Sequence, residues 1–186
     1  MNTNIELLES QIRQIFASVV WTHKIQEKQA DIYRDRYNKL ETAKILVSSI
    51  TSAGILSIIF VDGLWLKIAT AIISMITIAI NTYYKNFDLV SMANEHKHSA
   101  LQLLRLREKL ICLLCGIKMQ KLNEDEIIKE RDEILEELMN AYDNARDATS
   151  GALNKASQHL KERGDLTYSD EDIDSFLPIY LKKGGN

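Results

Sequence analysis

The chain has 186 residues, which fits one domain, and its composition is 46% hydrophobic and 26% charged. One proline and seven glycines leave few turn-forming residues, and this scarcity argues against an all-β fold. A net charge of −3 excludes a global basic surface for nucleic acid, and two cysteines exclude a disulfide framework.

The first predicted element is an amphipathic helix that begins at Thr3. Thr3 and Glu6 have the spacing of a capping box, and apolar residues then recur every three or four positions up to Val19. From Trp21 to Lys44 the sequence is polar and charged, and we expect this segment to continue as a helix into the apolar run that follows.

Two uncharged runs of 17 residues, 45–61 and 68–84, come next, separated by a turn at 62–67. At 1.5 Å per residue each run extends about 26 Å, at the short end of what crossing a bilayer requires. The alternative is a buried central hairpin of a soluble bundle, because buried helices are also apolar on all sides. A membrane hairpin is favoured because the runs are adjacent and uncharged. In addition, Trp65 lies near Gly63 in the turn, and tryptophan is enriched at membrane–water interfaces.

The distribution of lysine and arginine predicts that both termini are cytoplasmic, because positive charge accumulates on that side of a membrane. The turn contains only Lys67, whereas residues 25–44 contain five such residues: Lys28, Arg34, Arg36, Lys39 and Lys44.

Three further helices are predicted after the second span. The leucine-rich segment 101–117 must be buried on more than one side. Asn123 is the expected N-cap of the next helix, which ends near Gly164, and Ser169 caps a last short helix that Pro178 stops. The middle helix has a heptad-like apolar seam formed by Ile127, Ile134, Leu138, Ala141, Ala145, Ala148 and Ala152.

A polar stripe is the most informative pattern in the second span, since its members recur every three or four residues on one helix face. It consists of Lys67, Thr70, Ser74, Thr77, Asn81 and Tyr84. Such a stripe suits the lining of a water-filled pathway between several copies of the chain. Interhelical hydrogen bonding is the alternative interpretation, because hydroxyl and amide groups also hold membrane helices together.

The first span has a row of small residues, Ser49, Ala53 and Ser57, with Gly54 beside it. Small residues at this spacing permit close packing of helices, so we interpret the row as a packing surface.

Signals for an enzyme or a metal site are weak. Cys112 and Cys115 lack a second ligand pair, and His96 and His98 point to different faces of a predicted helix, where we expect both to face solvent. No glycine-rich phosphate loop or nucleophile with a partner base is present. We therefore predict no catalytic activity, no metal and no cofactor.

The sequence resembles that of a known family. The run WTHKIQEKQADIY from Trp21 to Tyr33, the charged helix up to Lys44, the run ILVSSITSAG up to Gly54 and the second span look like the SLATT domains. These are small two-transmembrane effectors of bacterial conflict systems, found beside nucleotidyltransferases, nucleotide-sensing domains or reverse transcriptases. The resemblance is strongest over residues 21–84, and the layout extends it to the whole chain.

The resemblance implies an all-α fold in one domain, residues 1–186. Cytoplasmic helices at 1–44 and 85–186 would form a bundle, and residues 45–84 would form a two-transmembrane hairpin in the bacterial inner membrane. The implied function is a cell-suicide effector of antiphage defence that assembles as a homo-oligomer, for which we expect a tetramer, and opens a pore. No catalytic motif defines the family.

Control of the pore would come from a nucleotide or oligonucleotide made by a partner nucleotidyltransferase. Binding such an anion requires cations, and the candidates near the spans are Arg34, Arg36, Lys39, Lys44, Lys85, Arg105 and Arg107. The alternative is that these residues set the topology and contact anionic lipid. Two other functions stay open: a non-conducting scaffold that anchors a cytoplasmic enzyme, and a soluble helical regulator.

Overall fold

A computed structural model describes residues 3–61, 63–149, 151–152 and 169–183. All regular elements in these ranges are helical, which confirms the predicted all-α class. The elements are α1 (Thr3–Phe60), α2 (Leu64–Asn86), α3 (Leu89–Lys118), α4 (Glu124–Asp143), α5 (Asp170–Phe176) and a 3-10 turn (Ile179–Leu181).

Helix α1 is one continuous helix of 58 residues. Neither proline nor glycine, the residues that most disfavour a helix interior, occurs before Gly54. The prediction that the charged segment after Trp21 continues as a helix is confirmed. Thr3 already belongs to α1, so it does not act as the N-cap that its spacing from Glu6 predicted.

The connection between α1 and α2 is shorter than the sequence predicted. Helix α1 ends at Phe60 and α2 begins at Leu64, with Gly63 in extended conformation as its N-cap. Residues 64–67, which we expected in a turn, are therefore the first turn of α2. None of Leu64, Trp65 and Leu66 is Ser, Asn or Asp, whose side chains compete with the helical backbone for hydrogen bonds, and this permits the early start.

The chain folds as two compact units. The first unit comprises Met1–Ala30 and Glu95–Asn186, and the second comprises Asp31–Asn94. Helices α1 and α3 each contribute to both units. The predicted spans, 45–61 and 68–84, both fall in the second unit.

The core of the first unit forms where α1, α3, α4 and α5 pack together. Ile12 and Phe16 of α1 and Leu110 of α3 are completely inaccessible to solvent. The prediction that the leucine-rich segment is core is confirmed, except that Leu101 is 46% exposed. Other buried side chains of the cluster are Val19, Leu103, Leu106, Leu113, Leu114, Ile117, Ile127, Ile134, Leu138 and Ile173.

Helix α4 begins as predicted but ends much earlier. Asn123 and Glu126 form a capping box at its start, as Ser169 and Asp172 do for α5. The helix stops at Asp143 because Asn144 follows, and its side-chain amide donates to the carbonyl of Asn140 at 2.8 Å.

The predicted apolar seam is correct only for the helical part. Ile127, Ile134, Leu138 and Ala141 are buried, whereas Ala145 and Ala148 are half-buried and lie beyond the helix. Ala152 is completely buried. Gly164, the predicted end of this helix, lies outside the described residues.

In the second unit, α2 runs antiparallel to the C-terminal part of α1. Gly54 of α1 lies against Thr70 of α2, and Tyr37, further back on α1, contacts Tyr84, further along α2. The order of these two contacts defines the direction of the pair.

Candidate functional site

A large apolar surface is exposed on the second unit. Phe60 and Trp65 are 84% and 83% exposed, although side chains of this kind are normally buried in a water-soluble domain. The other exposed large apolar residues between 45 and 78 are Ile45, Leu46, Ile50, Ile55, Leu56, Val61, Leu64, Ile68, Ile72, Met75, Ile76 and Ile78.

One helical stretch in the described part of the chain, Leu64–Lys118, is long and apolar enough to cross a membrane. Only 6% of its most apolar window is buried within the chain. A core helix of a soluble protein would instead be mostly buried. Helix α2 is the apolar part of this stretch, since α3 is rich in charged residues.

The polar stripe of α2 lies partly against α1. Thr70 is 8% exposed and packs on Gly54, whereas Lys67 and Asn81 are exposed. Ser74, Thr77 and Tyr84 are half-buried. In the single chain, the middle of the stripe therefore faces the neighbouring helix.

The three serine and threonine hydroxyl groups of the stripe bond to their own helix. Thr70, Ser74 and Thr77 each donate to the carbonyl four residues earlier, at 2.8, 2.9 and 3.1 Å. Each hydroxyl oxygen keeps acceptor capacity, which water or a cation can use. Tyr84 differs, because its hydroxyl donates to the backbone oxygen of Tyr37 on α1 at 3.1 Å.

The row of small residues in α1 faces away from α2. Ser49, Ala53 and Ser57 are exposed, and the two serine hydroxyls donate to the carbonyls of Ile45 and Ala53. The close approach to α2 occurs at Gly54 instead. A Cβ atom at Gly54 would lie 2.8 Å from the hydroxyl oxygen of Thr70, closer than real Cβ contacts come.

Four of the cationic ligand candidates lie on α1 in the second unit. Arg34, Arg36 and Lys39 are exposed, and within the described ranges they form no ion pair. The ammonium group of Lys44 lies 5.5 Å from the ring centre of Tyr84. Lys85 lies on α2, and its side chain is outside the described part of the structure.

Arg105 and Arg107 belong to the first unit and are surrounded by carboxylates. The guanidinium of Arg107 pairs with Glu108 at 2.5 Å. Arg105 lines a cavity of about 680 Å³ whose wall also contains four glutamates, Glu108, Glu130, Glu133 and Glu137. An acidic wall opposes the binding of a phosphate.

A buried arginine in the first unit was missed in the sequence. Arg13 is 1% exposed, forms an ion pair with Asp174 at 2.6 Å and donates to the backbone oxygen of Leu181 at 3.0 Å. It thereby fixes the C-terminal segment onto α1. The position of Arg13 between Ile12 and Phe16, on the apolar face of α1, could have indicated that this residue is buried.

His96 contradicts the expectation that both histidines face solvent, whereas His98 is exposed as predicted. His96 is 1% exposed, and its Nδ1 is hydrogen-bonded to the side-chain oxygen of Gln26. Burial, assisted by the charge of Arg146, lowers the pKa of His96, while Glu95 opposes this. Local sequence could not predict this burial, because Gln26 is 70 residues away.

Two more titratable groups lie near this end of the first unit. Lys97 donates to the carboxylate of Glu27 at 2.9 Å, which lowers the pKa of that carboxyl group. Burial lowers the pKa of His23, as do the charges of Arg107, Lys97 and Lys24, whereas Glu27 raises it. In the described ranges, no three His, Cys, Asp or Glu side chains come together as a metal site.

Comparison with known proteins places the chain in a family. No curated protein and no solved structure matches it. A family model does match, over residues 8–172, a range that includes both apolar runs, the charged helix before them and most of the first unit. The chain therefore belongs to the SMODS and SLOG-associating 2TM effector domain family 4, one of the SLATT families.

Proposed function

We propose that this protein is an antiphage effector that inserts residues 45–84 into the bacterial inner membrane as a two-span hairpin and opens a pore there. The observation on which the proposal mainly rests is the exposed apolar surface of the second unit, extending from Ile45 to Ile78. A bilayer would cover this surface and remove it from water. With both termini cytoplasmic, the short connection at Gly63 would be the only part on the far side.

The pore would be lined by the polar stripe of α2, and its opening requires a rearrangement. Thr70 is buried against Gly54 in the single chain, so a continuous path of water along the stripe requires α2 to rotate or move away from α1. The hydroxyls of Thr70, Ser74 and Thr77 stay bonded to their own helix and can follow this motion without losing a partner. The described arrangement would then be the closed state.

Several copies are needed, because a single pair of helices cannot enclose a water-filled path. The exposed row of Ser49, Ala53 and Ser57 offers a surface for packing against another copy, since it does not face α2. A closed ring is the simplest symmetric assembly, and we propose a tetramer.

Gating is proposed to depend on a nucleotide or oligonucleotide from a partner nucleotidyltransferase. Arg34 and Lys44 support such a site in the second unit, since they lie on the charged helix that leads into the first span. Arg105 and Arg107 are weaker candidates because of the carboxylates around them.

A non-conducting scaffold is the second candidate. It is favoured by the burial of Thr70, because a stripe that only packs against α1 needs no contact with water. In that case α1 and α2 would anchor the first unit, which would bind a cytoplasmic defence enzyme.

The two candidates differ in their response to substitutions in the stripe. Thr77→Leu combined with Asn81→Leu removes two polar groups from the stripe, and we expect it to abolish toxicity on expression in bacteria at unchanged protein level. Thr82→Leu is the matched control, because Thr82 is an exposed polar residue off the stripe. Undiminished toxicity of the double variant would exclude the stripe from the mechanism.

A further inference from the structure

A small cavity in the second unit lies between α1 and α2, near the start of the first apolar run. Its volume is about 300 Å³, and it is lined by Arg36, Lys39, Leu40 and Tyr83. We refer to it as the interfacial cavity. Arg36, Lys39 and Leu40 lie on one face of α1, because they are three and four residues apart.

The cavity combines an apolar floor with a cationic rim. Leu40 and the ring of Tyr83 supply apolar surface, and Arg36 and Lys39 are exposed at its edge. In the described part of the chain, neither cation forms an ion pair with a carboxylate. Their charge is therefore available to an external anion.

A contact between two tyrosines joins α1 and α2 beside the cavity. The hydroxyl of Tyr84 donates to the backbone oxygen of Tyr37 at 3.1 Å, and the two rings meet edge to face with centres 5.7 Å apart. Lys44 lies over the ring of Tyr84. Tyr83, next in sequence to Tyr84, lines the cavity together with Leu40.

The position along α1 matches the depth of lipid headgroups. Leu40 precedes Ile45, the first residue of the apolar run, by a distance of about 7.5 Å along the helix. The polar layer of a bilayer occupies about 5–7 Å on each side of the hydrocarbon core. Long side chains such as those of Lys39 and Arg36 can reach this layer while their apolar stems remain at the cavity wall.

We propose that the interfacial cavity binds an anionic phospholipid. Its phosphate would contact Arg36 and Lys39, and its glycerol backbone would lie against Leu40 and Tyr83, from where the acyl chains continue towards the first apolar run. The inference rests on the proposed membrane insertion. Occupancy bridges α1 and α2 at their cytoplasmic end, so anionic lipid would stabilise the described pairing of the two helices.

The shared chemistry is a phosphate, which a lipid or a soluble nucleotide can supply. The location beside the first apolar run favours the lipid, because its acyl chains can continue from the cavity into the hydrocarbon layer. The test therefore includes both sources.

Full-length protein is reconstituted into phosphatidylcholine vesicles with a trace of spin-labelled phosphatidylglycerol or spin-labelled phosphatidylcholine. Retention of the protein by the vesicles at alkaline pH is measured first, and electron paramagnetic resonance then gives the motionally restricted fraction of each label. We expect phosphatidylglycerol to be restricted about threefold or more over phosphatidylcholine. The preference at the cavity is diluted in this value, because the spectrum also contains lipids at non-selective positions around the helices.

Arg36→Gln combined with Lys39→Gln should remove the preference. The control, Lys121→Gln with Lys129→Gln, deletes the same charge from exposed positions in the first unit and should keep it. Equal restriction of both lipids by the wild type, or a preference that survives in the Arg36 and Lys39 variant, would overturn the inference while vesicle retention leaves the membrane insertion intact.

Adenosine monophosphate is added to test the soluble nucleotide as the source of the phosphate. Displacement of the phosphatidylglycerol label by this nucleotide, beyond the effect of chloride at equal ionic strength, would assign the cavity to a soluble phosphate and overturn the lipid assignment. Release of the protein from vesicles at alkaline pH would contradict the proposed membrane insertion and this inference together.

Discussion

Arg13 shows how one residue can organise the first unit. Its guanidinium is buried with one close carboxylate partner, Asp174, and a second, Asp170, at 3.6 Å. Asp174 also accepts hydrogen bonds from the backbone nitrogen of Lys183. The arginine therefore connects α1 to both α5 and the residues after it.

Substitution of Arg13 by alanine should be strongly destabilising. It leaves the mostly buried carboxylate of Asp174 without its cation, and breaking such a pair costs about 3–5 kcal/mol. Chemical denaturation followed by circular dichroism measures this loss. The matched substitution Arg105→Ala, at an exposed site, should change the free energy of unfolding by less than about 0.5 kcal/mol. Equal effects of the two would show that Arg13 does not hold the C-terminal segment.

His96 predicts a pH dependence of stability. Its pKa in the folded protein lies below the ordinary 6.5, so below pH 6.5 the unfolded chain binds more protons than the folded one. The free energy of unfolding should therefore be greatest above this pH and fall on acidification towards the folded pKa. His23 acts in the same direction.

The pH effect is measured by denaturation between about pH 7.5 and 5.5, above the titration range of Glu27. His96→Gln keeps a group able to donate to Gln26 and should reduce the pH slope. A slope that is unchanged in this variant would mean that His96 does not titrate differently in the two states.

At the scale of elements, the contact between Gly54 and Thr70 decides how α1 and α2 pair. A Cβ atom at Gly54 would lie 3.7 Å from the Cβ of Thr70, within the range that a disulfide requires. This geometry allows the pair to be locked by oxidation.

The proposed closed state can be tested with this lock. In a background of Cys112→Ser and Cys115→Ser, the pair Gly54→Cys and Thr70→Cys should cross-link on oxidation. Because opening would require α2 to leave α1, ion flux should fall several-fold and return after reduction.

The control for the lock is Ala53→Cys with Thr70→Cys, since Ala53 is exposed on another face and should not cross-link. Full conductance of the cross-linked Gly54 and Thr70 pair would show that α2 conducts while packed on α1. The pore would then have to be lined by the exposed residues of the stripe alone.

At the scale of the whole molecule, the sequence predicted what depends on local pattern. The helical class, the N-caps Asn123 and Ser169 and the leucine-rich core of α3 follow from spacing and side-chain chemistry within a few residues. The early end of α4 was missed because alanines continue the apolar spacing beyond Asn144. That spacing does not show that the Asn144 side chain caps the helix.

Long-range contacts could not be predicted in the same way. The ion pair of Arg13 with Asp174 joins residues 161 positions apart, and the bond of His96 with Gln26 joins residues 70 apart. In the candidate site, periodicity predicted the polar stripe as one face of α2. It could not indicate that Thr70 is buried against Gly54, because that depends on how the two helices pair.

Pore formation is tested by ion flux from liposomes of bacterial lipid that contain the purified full-length protein. We expect flux above that of empty liposomes for the wild type and for Thr82→Leu, and flux at the empty-liposome level for Thr77→Leu with Asn81→Leu. Flux at the empty-liposome level for the wild type, in protein that resists alkaline extraction, would contradict a pore and favour the scaffold.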